Sequence, residues 1–152
     1  MNRKFFAATA LFFGLINPLA AMPFDPLIGT WKVIDDRTGY YVSDIVIRKN
    51  SKTQQYSAVI TKNRSLPGVA SSEVCSKCQG ELKNQPIFGM EALKGLVADT
   101  SNKQFNKGIW INTQDGRVYD IDASLNAAGD QMKVNGKAKS ANVTSIMTWK
   151  KL

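Results

Sequence analysis

Residues 117–138, RVYDIDASLNAAGDQMKVNGKA, alternate apolar and polar side chains on either side of a short turn-forming segment. Tyr119, Ile121, Ala123 and Leu125 share one face of the first half, and Met132, Val134, Gly136 and Ala138 share one face of the second. A period of two over this length is the mark of a half-buried strand, so the stretch is a β-hairpin with one face in a core. The opposite faces carry Asp120 and Asp122 on one strand and Lys133, Lys137 and Lys139 on and just past the other. A turn over Asn126–Gly129 places Asp122 across from Lys133, and such cross-strand pairs contribute a few tenths to ~1 kcal/mol.

The same alternation extends in both directions. Upstream, KGIWINT (107–113) leads into Gln114-Asp115-Gly116, where Gly116 suits the left-handed position of a three-residue hairpin loop. That register pairs Ile111 with Tyr119 and Ile109 with Ile121 on the inner face. A two-residue Asp115-Gly116 turn would instead bring Trp110 inward, because a slip of one residue reverses the faces. The three-residue loop is preferred. Nearer the N-terminus, LIGTWKVID (27–35), YYVSDIVIRKN (40–50) and QYSAVITK (55–62) form a meander, and TSIMTWKKL (144–152) supplies a last strand. Seven or eight short antiparallel strands leave a sandwich or a closed up-and-down barrel, and closure removes exposed edges. The expected fold is all-β, a barrel of about eight strands. Gly29-Thr30-Trp31 resembles the Gly-x-Trp opening of lipocalin-like barrels, and Trp149-Lys150-Lys151 ends the chain where those folds set a basic residue over that tryptophan.

Residues 75–96, CSKCQGELKNQPIFGMEALKGL, hold both cysteines. Zinc would need two further ligands, and the chain has no histidine and no third cysteine. Thiol redox chemistry needs a thiolate activated at a helix N-terminus in a βαβ setting, which the pattern does not offer. A structural Cys75–Cys78 disulfide is the favoured reading; closing so short a loop stabilises by about 2 kcal/mol at most. It would pin a loop in which Lys83, Asn84, Gln85, Pro86, Gly89 and Met90 form a flap across one barrel mouth. Met90, Leu93 and Val97 have helical spacing, but Gly89 and Gly95 each cost about 1 kcal/mol in a helix, so residues 87–97 are expected to be extended.

Catalytic chemistry is poorly supplied. Without histidine, neither Ser-His-Asp nor Cys-His arrangements can form. No phosphate-binding loop or nucleotide fingerprint is present, and Asp35-Asp36 and Asp120-x-Asp122 fit solvated positions. The reading therefore assigns no catalytic residue, no metal and no cofactor.

The first 21 residues combine Arg3 and Lys4, an apolar run from Phe5 to Ile16 and small residues at Ala20-Ala21. That is the composition of a cleavable secretory leader, too short for the ~20 apolar residues of a membrane span. Cleavage after Ala21 would leave residues 22–152 as one domain, periplasmic or secreted, with no transmembrane anchor. The net charge of +8 would become +6 on loss of Arg3 and Lys4. The lysines are scattered rather than clustered, which argues against nucleic acid as a partner.

Gly29-x-Trp31, Cys75-x-x-Cys78-x-Gly80, Lys83-Asn84-Gln85-Pro86-Ile87-x-Gly89-Met90, Leu93-x-Gly95-Leu96, Gly116-x-x-Tyr119 and Met132-x-Val134-x-Gly136 together resemble the bacterial domain of unknown function family 2147. The resemblance implies a small exported protein of Gram-negative bacteria and brings no activity with it. The chain departs from the family pattern around Asn112–Asp115 and after Gly136, where Thr148-Trp149 is what remains of the usual ending.

These readings lead to two functional expectations. The first is a non-enzymatic binding protein for a small apolar or lipid-like ligand, with an interior lined by Trp31, Val33, Ile45, Ile47, Tyr56, Ile60, Tyr119, Ile121, Met132 and Val134. A fully packed core would use the same residues, since eight-stranded barrels can be filled by their own side chains. The second is an envelope interaction module that contacts a protein or an anionic polymer through its loops, an exposed Trp110 and its basic surface.

Overall fold

The computed structural model describes residues 24–152, and the leader expected at residues 1–21 lies outside them. Eight strands, β1 (Gly29–Asp35), β2 (Tyr41–Lys49), β3 (Tyr56–Asn63), β4 (Glu91–Ala98), β5 (Gln104–Asn112), β6 (Arg117–Leu125), β7 (Gln131–Ala138) and β8 (Thr144–Lys151), pair in sequence order. All pairs are antiparallel, and β8 returns to β1 with Val33 opposite Trp149, closing a barrel. The sandwich alternative is thereby set aside, and residues 87–97 are extended as expected from Glu91 onward. A 3-10 turn at Gly80–Leu82 interrupts the long β3–β4 crossover. Within that crossover Cys75 and Cys78 form the disulfide.

Two hairpin registers differ from those expected. Around the β5–β6 turn Asn112 faces Arg117, so the loop has four residues, Thr113–Gly116, with Gly116 in the left-handed region at φ +75°. Trp110 then lies opposite Tyr119, Gly108 lies opposite Ile121, and Ile109 turns outward. Packing selects this register. A Cβ at Gly108 would sit 2.7 Å from Ile121 and 2.8 Å from Leu96, so only glycine fits opposite Ile121 there. Trp110 meanwhile packs on Trp149, with ring centroids 5.2 Å apart.

The β6–β7 connection is two residues longer than expected, with six residues (126–131) rather than four between register partners, and the Asn126 side-chain oxygen accepts hydrogen bonds from the amides of Asp130 and Gln131. Leu125 thus faces Met132, and Asp122 faces Asn135 rather than Lys133. Lys133 instead pairs with Asp36 and donates to Thr148 Oγ1. Asp120 faces Lys137 and takes an ion pair from Lys139 at 2.8 Å.

The crossover packs against the outside of the barrel wall. Leu93 and Trp110 are register partners on the inner face, so Ala92 and Ile111 point outward, yet both are buried. They belong to the same hydrophobic cluster as Cys75, Cys78, Ile87 and Met90, the buried residues of the crossover. The Lys77 carbonyl lies directly against Gly116, where any Cβ would collide with it. Lys77 Nζ donates to the Gln114 carbonyl at 3.0 Å, and Gln114 Nε2 donates to the Arg64 carbonyl at 3.1 Å.

Candidate functional site at the barrel mouth

The two ends of the barrel are built differently. At the base, the segment before β1 folds across the opening with Leu27 fully buried. Trp31 Nε1 donates to the Leu27 carbonyl at 2.8 Å, and Lys151 Nζ donates to the Pro26 carbonyl while lying 5.6 Å from the Trp31 ring centre. The basic residue over the tryptophan is therefore Lys151. Asp25 accepts from Tyr56 Oη at 2.8 Å and from Lys49 Nζ at 3.3 Å. Burial and that hydrogen bond to Asp25 both push the Tyr56 phenol above its usual range.

The opposite end holds a cavity of about 230 Å³. Its apolar wall comes from Val33, Val42, Ile60, Leu66, Trp110 and Met147. The rim is polar, with Asp35, Arg37, Ser43, Lys77, Ser145 and the β5–β6 turn around it. An apolar floor with a few converging polar groups is the usual composition of a small-molecule pocket, although this one lies below the ~300–1,000 Å³ typical of larger ligands. Trp110 is buried, and its indole N–H has no hydrogen-bond partner; the same is true of Trp149 beneath it. Buried donors are nearly always paired, with protein or with ordered water, and neither indole finds a protein acceptor.

Of the ten residues expected to line the interior, Val33 and Ile60 reach this cavity. Tyr119 borders an adjoining cleft of about 180 Å³ with Asp35, Arg37, Asn112 and Asp115, and Tyr56 borders a cleft of about 190 Å³ at the base. Trp31, Ile45, Ile47, Ile121, Met132 and Val134 are buried and line none of these spaces. They fill the barrel below the mouth.

Lys83, Asn84, Gln85, Pro86, Gly89 and Met90, expected as a flap over the mouth, do not line the mouth cavity. Backbone pairing holds them elsewhere: Cys75 N donates to the Gln85 carbonyl, Asn84 N to the Cys75 carbonyl, and Pro86 bridges to Val74. Gly89 N donates to the Ile60 carbonyl and Ile60 N to that of Met90, which joins the segment to β3. From the crossover it is Leu66 and Lys77 that reach the mouth. Trp110, expected to be exposed, is an interior wall, and the two-residue-turn alternative was the one sequence signal that pointed inward.

Hydrogen bonds organise the rim. Tyr119 Oη donates to Asp115 Oδ2 at 2.5 Å, and the Arg117 amide donates to Asp115 Oδ1 at 2.9 Å. Burial, reinforced by the bond to the Asp115 carboxylate, pushes the Tyr119 phenol up to about 12. Nearby, burial raises the Asp36 pKa, but hydrogen bonds from Lys133 and Thr148 and the Lys133 charge outweigh it, so this carboxyl titrates below its usual range. Among the described residues no cluster of three or more His, Cys, Asp or Glu side chains could hold a metal ion.

Residues 29–151 match the family described as "Uncharacterized protein conserved in bacteria", domain of unknown function 2147. Among solved structures, the chain is similar to HP1028 from the human pathogen Helicobacter pylori, a protein described as belonging to the lipocalin family. The TM-score is 0.62 at 17% identity, covering 83% of this chain and 82% of that one. Among curated proteins none matches the chain in sequence.

Proposed function

The chain belongs to that uncharacterised bacterial family, and from this premise, with its lipocalin-like fold, we propose that it is a non-catalytic binding protein for a small, largely apolar ligand held in the barrel mouth. The observation that carries the reading is the mouth cavity itself, walled by Val33, Ile60, Trp110 and Met147 at the end of the barrel opposite the Leu27 strap. Burial of apolar ligand surface there would supply affinity at about 25 cal/mol per Å² before association costs. The leader-like composition of residues 1–21 supports export, and we place the protein in the periplasm or outside the cell. Cell fractionation tests the location.

Titration with octanol, followed through the Trp110 indole N–H resonance, tests the site. Saturable shifts confined to Val33, Ile60, Trp110, Met147 and their neighbours are expected. A Trp110 signal unmoved by any neutral apolar probe would remove the reading. Native mass spectrometry of protein taken from cells without detergent then asks which ligand accompanies it.

A further inference from the structure

A second concavity of about 510 Å³ lies just outside the mouth. Its walls are Lys77, Gln79 and Leu82 from the crossover, Asp115–Val118 from the β5–β6 turn and β6, and Lys139 and Ser140 past β7. Lys77 and Asp115 line both this groove and the mouth cavity, so the two spaces meet across those side chains. Their chemistries differ. The mouth is apolar, whereas the groove sets three cations, Lys77, Arg117 and Lys139, against the single carboxylate of Asp115.

Those cations are not firmly committed. Arg117 meets Asp115 at 3.5 Å, and Lys139 meets Asp120 at 2.8 Å with both side chains well exposed. Lys77 has no carboxylate partner among the described residues and donates to the Gln114 carbonyl. Exposed pairs of this kind are weak, so an incoming anion could share or replace them at little cost. Leu82 and Val118, both half-buried, give the groove an apolar floor continuous with the packed core.

We propose that this groove reads the anionic head of an amphiphile whose apolar part occupies the mouth cavity, with Lys77 at the junction and Arg117 and Lys139 beyond it. The inference rests on the binding reading above and adds the ligand class: one short apolar chain carrying a carboxylate or a phosphate. Guanidinium and ammonium groups both form charge-assisted hydrogen bonds to such oxygens.

The test compares three probes of equal chain length, octanol, octanoate and octyl phosphate, by the same resonance titration. Both anions should bind about tenfold more tightly than octanol at low salt, with the advantage shrinking as ionic strength rises. Their shifts should extend to Arg117, Val118 and Lys139. The stronger of the two anions identifies the head group as carboxylate or phosphate. In Lys139→Gln, the ratio of anion to octanol affinity measured on the same variant should fall about threefold. Lys77→Gln should lower that ratio at least as far. If octanol binds and neither anion binds more tightly, the proposal fails while the binding reading stands. If none of the three binds, both fail.

Discussion

Trp31 at the base and Trp110 at the mouth are both buried indoles on the inner face of the same barrel, but only one has its N–H answered. Trp31 donates to the Leu27 carbonyl on a strap that Lys151 holds down through Pro26, whereas Trp110 and its neighbour Trp149 have no acceptor within the described protein residues. The polar groups beside the strap, Asp25, Tyr56 and Lys49, are likewise bonded to one another. One end is completed by the chain's own segments. The other is left with an apolar cavity, orphan donors and a cationic margin. The difference separates a closed end from an open one within one sheet.

The comparison can be broken most forcefully at the base. Leu27→Ala should cost about 3 kcal/mol in urea unfolding, because it removes a fully buried plug and leaves a cavity beneath the strap. Octanol binding at the far end should survive in the folded fraction. Equal loss of binding would show that the two ends are not independent.

Gly116→Ala should cost about 2 kcal/mol. The position combines a left-handed backbone with a Cβ that would collide with the Lys77 carbonyl. Faster hydrogen exchange at residues 75–78 should accompany the loss, since this contact docks the disulfide turn beside the mouth.

A third test is alkaline. The folded protein holds the Tyr119 proton to about pH 12, whereas an unfolded chain releases it near 10. The stabilisation is therefore complete below pH 10 and is lost as pH rises from 10 to 12. Solvent at the mouth reduces it to ~1–2 kcal/mol. Tyr119→Phe should show a correspondingly smaller decline over that window than the wild type, measured as denaturant midpoint against pH.

The smallest effect bears directly on the two tryptophans. Trp31→Phe strands the Leu27 carbonyl, while Trp110→Phe removes a donor that has no partner. After their similar loss of ring area, the first should be about 1 kcal/mol more destabilising than the second. Equal costs would mean that the Trp110 N–H is satisfied after all.

Much of the barrel was legible because alternation is a local property. Tyr119, Ile121, Met132 and Val134 were placed inside by period two alone, and the disulfide pairing needed no tertiary information. The Gly-x-Trp opening and the terminal lysines likewise anticipated Lys151 over Trp31. Turn lengths were less legible. One residue more in the loop that ends at Gly116 set Trp110 inside, and two residues more in the next connection, around the Asn126 side chain, replaced the expected Asp122–Lys133 pairing with Asp122–Asn135 while keeping the inward face.

By itself, then, the sequence determined the strand content, the inward faces of the strands other than β5, and the family, since hydrophobic period and turn chemistry act over a few residues. Only the tertiary structure decided that the Leu27 strap covers the base while an apolar cavity opens at the mouth, that the 64–90 crossover packs on the outer wall, and that Lys77 borders both cavity and groove. Those outcomes depend on contacts between residues as distant as Lys77 and Gly116 or Trp110 and Trp149. Such contacts are selected by volume and close packing around a closed barrel, and no local pattern encodes them.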